Sequence, residues 1–298
     1  MQVGTSFIQT AVSHVIEVIP LTCLEKIIVG QCYENALNTA NASYKNCPVR
    51  FKPTSNDLAE GVAATIPYKC GGNLKTVIVF GPRLVEGMYA EGTVTATGRT
   101  AQLLHHELAH AFDYEIRFRR FRTKLFAIEL SSEQAFLWKL CNRLWSEYFA
   151  SRWGAMLSGE NSYGDDLLEN AHLDFKLSLK QAIKEYPLGG LAAEDFNSLL
   201  VVKTQFLLDV LARVLGHFDA YQSDDNPNAR SFRFVHSSSA VDLLPFHQVL
   251  KELWDACAKW KSVDEFLALN LPTRSLLRHH GISVKTDPSS GYYLELAD

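Results

Sequence analysis

Two patterns of apolar and polar residues follow one another along the chain. Residues 49–80 contain short β-branched segments bounded by Gly and Pro, which predict strands joined by turns; Lys75–Phe80 is the clearest of them. Over residues 100–121 the apolar positions recur at spacings of three and four, which predicts a helix. The same spacing predicts one further long helix from about Ser132 to Leu157, with a capping box at Ser131 and Gln134.

The segments on either side of this region are predicted to be mainly helical. We expect an N-terminal helical segment at residues 1–48, a mixed core at residues 49–157 and a mainly helical C-terminal part at residues 165–298. The ending GYYLELAD predicts a terminal strand. The fold class is therefore α+β, with a small mixed sheet, two long helices after it and a helical remainder.

Composition excludes several classes of protein. The 298 residues are 47% hydrophobic and carry a net charge of −4, which rules out collagen-like, low-complexity and wholly disordered chains and gives no reason to expect a nucleic-acid or membrane partner. We find neither a secretory signal nor an apolar run long enough for a transmembrane helix, and the six cysteines are scattered. These features predict a cytoplasmic protein with free thiols.

The most informative segment is His106-Glu107-Leu108-Ala109-His110, an HExxH motif in the predicted helix. Residues four apart lie on one face of a helix, so His106 and His110 can both direct an imidazole nitrogen at one zinc ion. Glu107 is rotated about 100° from His106. It can therefore lie beside the metal, take a proton from the zinc-bound water and later deliver it to a leaving amine. This pattern predicts zinc-dependent hydrolysis of peptide bonds.

A third zinc ligand can be sought by elimination. No further His occurs until residue 172 and, after residue 113, no further Asp until residue 165, which leaves Glu115, Glu129, Glu133, Glu147 and Glu160. Glu115 lies about 180° around the helix from His106 and faces away. Glu129 and Glu133 fall near the start of the second helix, and Glu160 falls in a loop. Glu147 remains, with Ala150 and Ser151 on its face to allow close approach; the alternative is an exposed or ion-paired glutamate.

The stretch HELAHAFD followed by SEYFASR resembles the gluzincin zinc metallopeptidases, in which a downstream helix supplies a Glu as the third ligand. The ending E-x-x-A is similar to that of bacterial intracellular zincins of the ImmA/IrrE type, and HExxHxxD is similar to the lethal-factor-like and MtfA-like peptidases. The resemblance covers residues 100–153. It implies a zincin-like catalytic domain, a protein or peptide substrate, and roles for His106, Glu107, His110 and Glu147.

Several other side chains are candidates for supporting roles. Asp113 lies on the face of the two histidines, where it could orient a ligand imidazole or pair with the arginines that follow. His105 is expected to be structural or to lie behind the ligands. A peptidase of this kind also needs a donor for the oxyanion, and the sequence leaves that choice open. The candidates for the donor are Tyr114, Tyr148, His217 and Tyr221.

One dense basic cluster, residues 117–124, follows the motif. Interleaved arginines and phenylalanines can bind single-stranded nucleic acid, but a solvated helix end with its phenylalanines in the core is the favoured interpretation. The sequence therefore predicts a zinc metallopeptidase, in which the strand at Lys75–Phe80 would be the sheet edge to which an extended peptide adds. Two alternatives stay open: a zincin-like regulatory or peptide-binding module without turnover, and a nucleic-acid-associated protein that uses the 117–124 cluster.

Overall fold

The computed structural model divides the chain into two compact units. Unit 1 contains Met1–Arg119 and Phe149–Ser162, and unit 2 contains Arg120–Tyr148 and Tyr163–Asp298. The structure describes residues 2–43, 55–56, 59–60, 63–82, 84, 94–122, 124, 128–158, 165–221, 240–287 and 291–296. Within these ranges the protein is mixed α+β and mostly helical, as the sequence predicts at that level.

Unit 1 is built around a three-stranded sheet. Its strands are β1 (Leu24–Val29), β4 (Ala63–Cys70) and β5 (Asn73–Phe80), and two-residue strands β2 (Ser55–Asn56) and β3 (Ala59–Glu60) pair separately. The strand order is β1-β5-β4, with β1 parallel and β4 antiparallel to β5. The helices of this unit are α1 (Gln2–Val18), α2 (Tyr33–Ser43), α3 (Val94–Phe121), which ends in unit 2, and most of α5 (Leu144–Ser158).

The two faces of this sheet carry different side chains, because successive residues of a strand point to opposite sides. On one face Ile66, Tyr68, Val77 and Val79 pack with Ala36 and Leu37 of α2. On the other face, Cys23 at the start of β1 donates its thiol to the carbonyl of Ala111 on α3 (3.4 Å) and lies 3.5 Å from the Thr76 hydroxyl. The sheet therefore lies between α2 and α3, and its α3 face is the one that adjoins the HExxH motif.

A buried carboxylate attaches α3 to the beginning of β1. Glu115, which is 4% exposed, accepts hydrogen bonds from the Cys23 backbone N–H (3.0 Å), from the Thr22 hydroxyl and from Arg119. These donors satisfy a charge that would otherwise be costly to bury. Glu115 thus has a structural role on the side of α3 that helix periodicity places opposite His106.

Unit 2 is mainly helical. Its helices are α4 (Ser132–Cys141), the first turn of α5, α6 (Asp165–Glu185), α7 (Ala193–Tyr221), α8 (Ala240–Asp255) and α9 (Asn270–His279), with 3-10 turns at Tyr186–Leu188 and Val263–Leu269. The antiparallel strands β6 (Ile282–Asp287) and β7 (Gly291–Leu296) form a hairpin. Trp145, Trp260 and Phe266 are each 1% exposed, and their rings lie 5.0–5.7 Å apart in the core.

Several sequence predictions are confirmed. The strand at Lys75–Phe80 is part of β5, GYYLELAD contains β7, and the capping box of Ser131 and Gln134 is formed at the start of α4. The cysteines in the described part of the chain are free thiols; Cys47 lies outside it. In that same part, none of the helices combines the length and the apolar character that crossing a bilayer requires.

Three predictions are wrong in detail. The N-terminal segment is not helical throughout, since strand β1 lies between its helices. The apolar run of LEKIIV is too short to reveal this strand by its pattern. The single helix expected from Ser132 to Leu157 is two helices separated by a turn at residues 142–143, and the apolar pattern runs across the turn since both helices are buried there. Finally, Lys75–Phe80 is the central strand and not the sheet edge expected to bind a peptide; within the described sheet β1 and β4 are the edge strands.

Candidate metal centre

The two motif histidines lie together on α3. Leu104, Leu108 and Ala111 are fully buried and fix the orientation of the helix, which leaves both imidazoles half-buried. The Nε2 atoms of His106 and His110 are 3.1 Å apart, and the rings meet edge to face with centroids 4.7 Å apart. This separation suits either an N–H···N hydrogen bond or a shared metal ion, because zinc bonds of about 2.0–2.1 Å would then make an angle of about 100°.

Helix α5 approaches α3 closely at His106. A Cβ atom added at Gly154 would lie 3.4 Å from the His106 Cα and backbone N, so at this point the helix backbones are in near contact. One turn earlier, the Ser151 hydroxyl is 3.5 Å from His106 Nδ1. Phe112 of α3 packs against Phe149 and Trp153 of α5, with ring centroids 5.9 and 5.7 Å apart. Small residues on α5 therefore permit the approach, and aromatic residues beside them hold it.

Glu147 lies in the first turn of the same helix, four residues before Ser151 and seven before Gly154, and thus on the same face. Every residue from Leu144 to Ser151 is at most 9% exposed, so this part of α5 is buried all round. A carboxylate in such a place needs partners. Arg143 donates to Glu147 Oε1 (2.9 Å), and Arg213 of α7 donates to Oε2 (3.1 Å).

His106, His110 and Glu147 come together as one group that could hold a metal ion. Each offers one ligand atom, and these atoms all lie within 4.8 Å of one another. To act as a ligand, the Glu147 carboxylate has to offer one oxygen lone pair to the metal. The arginines do not prevent this, since an ionised carboxylate has about four acceptor positions and two arginines use two of them. Two imidazoles and a carboxylate suit zinc, although they do not identify the metal.

The charges around Glu147 are balanced within unit 2. Arg143 also lies 3.4 Å from Asp209, so two arginines face two carboxylates. Burial raises the pKa of Asp209, and the nearby Glu147 carboxylate acts in the same direction, while Arg143 and Arg213 oppose them. For Arg143, burial opposes the charge, but Asp209 and Glu147 outweigh it and its pKa is raised. Arg143 therefore stays charged, and the hydrogen bonds from Arg143 and Arg213 keep the Glu147 carboxylate oriented.

Glu107 has a separate environment on the sheet side of α3. It is 6% exposed, and the hydroxyl of Thr65 on β4 lies 2.7 Å from its Oε2 and 3.0 Å from its backbone carbonyl oxygen. Thr65 is itself 7% exposed. The residue expected to be the general base is thus attached to one of the edge strands of the described sheet. Its assignment as a base stays a prediction.

The structure shows a partner for Asp113 that the sequence left undecided. Asp113 is fully buried and forms a two-point ion pair with Arg117, in which Nε donates to Oδ1 at 2.9 Å and Nη2 donates to Oδ2. The guanidinium of Arg117 also lies 5.2 Å from the ring centroid of Tyr114. Of the two expectations for Asp113, pairing with a following arginine is therefore observed.

The remaining candidates for an oxyanion donor lie in unit 2. Tyr148 is fully buried and its hydroxyl donates to Asp219 (2.6 Å), which also accepts from His247 Nε2 at 3.0 Å. His217 is 3% exposed within α7, and Tyr221 is the last residue of that helix. The hydroxyl of Tyr148 is thus engaged with Asp219, and no single donor is singled out among the four candidates.

His105 is buried beside the candidate ligands. Burial lowers its pKa, and His14 on α1 acts in the same direction, so the ring is neutral. Its Nδ1 has no hydrogen-bond partner among the described residues. Burial of this side chain is compatible with both expectations for it, a structural role and a position behind the ligands.

Three arginines of the 117–124 cluster bind other groups of the protein. Arg117 and Arg119 pair with Asp113 and Glu115 on α3, and Arg120 donates to the backbone carbonyl of Trp260. Phe118 and Phe121 are each 6% exposed. These contacts favour the interpretation as a helix end with its phenylalanines in the core; Thr123 lies outside the described residues.

Two residues of the centre could not be found from sequence. Arg213 is 66 positions from Glu147, and Thr65 is 42 positions from Glu107, and neither lies in a motif. The available signals are weak: an arginine between apolar residues of a long helix and a threonine in an apolar strand. No protein-family model, curated protein or solved structure matches this chain, so its function has to be argued from these residues.

Proposed function

We propose that the protein is a zinc-dependent metallopeptidase whose catalytic part is zincin-like. The observation that carries the proposal is the group formed by His106, His110 and Glu147, with Glu107 between the two histidines in sequence. The two histidines lie on α3 and Glu147 lies on α5, with α4 between these helices in the chain. An HExxH motif that takes its third ligand from a distant glutamate requires two separate helices of this kind. When bound, zinc supplies a Lewis acid that polarises a peptide carbonyl and acidifies the attacking water.

In this proposal each group of side chains has a separate role, either in holding the metal, in orienting a ligand or in transferring a proton. His106, His110 and Glu147 hold the metal, while Arg143 and Arg213 keep the Glu147 carboxylate in place. Glu107 takes a proton from the attacking water and delivers it to the leaving amine. An extended peptide would bind along β4, the edge strand that contacts Glu107 through Thr65, and not along the central strand β5.

A regulatory or binding module without turnover is the second candidate. It is favoured by one specific observation, namely that Arg143 and Arg213 already engage both oxygens of Glu147, as in a structural ion-pair network. Such a module would keep the helix packing but would not need Glu107 as a base. Metal content and turnover distinguish the two candidates.

The first experiment measures the metal content of protein purified without chelators. Wild type is expected to carry about one zinc ion per chain, and Glu147→Gln, which preserves the shape of the side chain, is expected to lose most of it. The matched control is Glu169→Ala, a change at an exposed position of α6. A Glu147→Gln variant with full zinc content would remove this residue from the ligand set, and wild type without affinity for zinc would refute the proposal.

The second experiment measures peptide hydrolysis by mass spectrometry on a mixture of peptides. Glu107→Gln is expected to keep its zinc and its secondary structure, because the amide is close in size to the carboxylate and can still accept from Thr65. Its rate should fall about 10²–10⁴-fold, the usual contribution of a general base. If the variant cleaves a substrate of the wild type at the same rate, Glu107 is not the base.

A further inference from the structure

We propose that Thr65 is a positioning residue for Glu107, and that its hydroxyl fixes the direction in which the Glu107 carboxylate faces. The inference rests on the proposed function, in which Glu107 moves the proton of the attacking water. The contact itself joins two buried side chains from different elements of unit 1, Thr65 on β4 and Glu107 on α3.

A glutamate does not hold such a direction unaided. It has several rotatable bonds, and rotation about the last of them is only weakly restricted. A threonine is much stiffer, because branching at Cβ restricts its χ1 angle. The residue that can define the geometry of this pair is therefore Thr65.

The position of Thr65 is defined in turn by the sheet. Strand β4 pairs with β5 from Ala63 opposite Phe80 to Cys70 opposite Asn73, and Thr65 lies opposite Ile78 in that ladder. Ile66 and Tyr68 pack toward α2, so the alternation of the strand directs Thr65 toward α3. A slip of one residue would exchange the faces and remove the hydroxyl from Glu107.

The distances indicate which acceptor matters. The hydroxyl has one proton and two acceptors within reach, Glu107 Oε2 at 2.7 Å and the Glu107 backbone oxygen at 3.0 Å. The carboxylate oxygen is nearer and charged, and hydrogen bonds to charged acceptors are the stronger ones. Thr65 therefore engages Oε2 and fixes the direction of the carboxylate through this oxygen.

The test uses cobalt-substituted protein and acetohydroxamate, a small metal chelator that also hydrogen-bonds to an acceptor beside the metal. Its dissociation constant is measured from the visible absorption of cobalt for wild type, Thr65→Val, Thr65→Ser and Glu107→Gln. Thr65→Val keeps the shape of the side chain without the hydroxyl and should bind the chelator about 10-fold more weakly, with unchanged cobalt content. Thr65→Ser restores the hydroxyl and should return the constant to within about twofold of wild type.

The outcomes separate this inference from the proposed function. If Glu107→Gln weakens chelator binding and Thr65→Val does not, Thr65 has no positioning role. If neither variant changes it, the role of Glu107 is wrong and the inference fails with it. If both variants bind the chelator more weakly but the protein cleaves no peptide, the positioning of Glu107 by Thr65 stands and only the proposed function is overturned. If Thr65→Val does not fold, Thr65→Ala and Thr65→Ser are compared, because these two side chains differ only in the hydroxyl group. Equal dissociation constants of the chelator for these two variants would overturn the inference.

Discussion

The near contact between α3 and α5 at Gly154 predicts that the metal centre can be disrupted without touching a ligand. The perturbation is Gly154→Leu. A Cβ at this position lies 3.4 Å from the Cα and N atoms of His106, close to the usual limit of contact. The carbons beyond Cβ in a leucine reach about 2.5 Å farther, so the two helices must separate by roughly 2 Å to admit them.

This displacement is large in comparison with what a metal site accepts. Ligand distances are held to about 0.2 Å, and Glu147 lies on the helix that has to move. We expect the zinc affinity of Gly154→Leu to fall by at least about 10-fold, the loss that results when groups supporting the ligands are changed. Overpacking should also lower the free energy of unfolding by about 1–3 kcal/mol.

The matched control is Gly154→Ala. Its Cβ fits at the contact limit, so the zinc affinity should hardly change, and the free energy of unfolding should stay the same or rise by up to about 1 kcal/mol because alanine is favoured over glycine in a helix. Zinc affinity is measured by competition with a chromophoric chelator, and stability by urea unfolding of the metal-free protein. If Gly154→Leu remains folded and binds zinc as tightly as wild type, the packing of α5 against α3 does not set the spacing of the ligands.

Three further changes test other parts of the site. Arg213→Gln removes one of two guanidinium groups that orient Glu147 and should weaken zinc binding about 10-fold or more in the same competition assay; an unchanged affinity would show that Arg143 alone is sufficient. Asp113→Asn leaves the charge of Arg117 without its buried partner and should lower the free energy of unfolding by about 3 kcal/mol, measured by urea titration, whereas a loss below 1 kcal/mol would contradict a strong pair. Burial raises the pKa of Cys23 to about 12, so at pH 8 this thiol should react with an aromatic disulfide reagent far more slowly than the exposed thiols. The rates are measured by mass spectrometry of the labelled peptides, and equal rates would contradict the burial of Cys23.

What the sequence could predict in the site follows from regular spacing. His106 and His110 are four residues apart in a helix without breaks, so their common face requires no knowledge of the rest of the chain. Elimination and small neighbours on the same helix face predict Glu147. In the structure one of these neighbours, Ser151, lies with Gly154 on the face of α5 that meets His106.

The remaining contacts depend on packing between distant segments. The turn at residues 142–143 carries no Gly or Pro, and buried residues continue on both sides of it, so periodicity alone could not divide α4 from α5. Arg213 and Thr65 reach the site only because α7 and β4 are folded against their neighbours. Likewise the carboxylate of Asp113 could face either a ligand or an arginine until the rotamer of Arg117 was known.

The anchoring of Glu115 has a mechanical consequence for the histidines. At a radius of about 6 Å, a rotation of α3 by 10° about its own axis would move a side-chain tip by about 1 Å. Such a movement exceeds the tolerance of a metal site several times. Glu115 resists this torque, because its bonds to Cys23 and Thr22 act on the side of α3 opposite His106. Glu115, nine positions after the first histidine, thereby helps to fix the direction in which both imidazoles point.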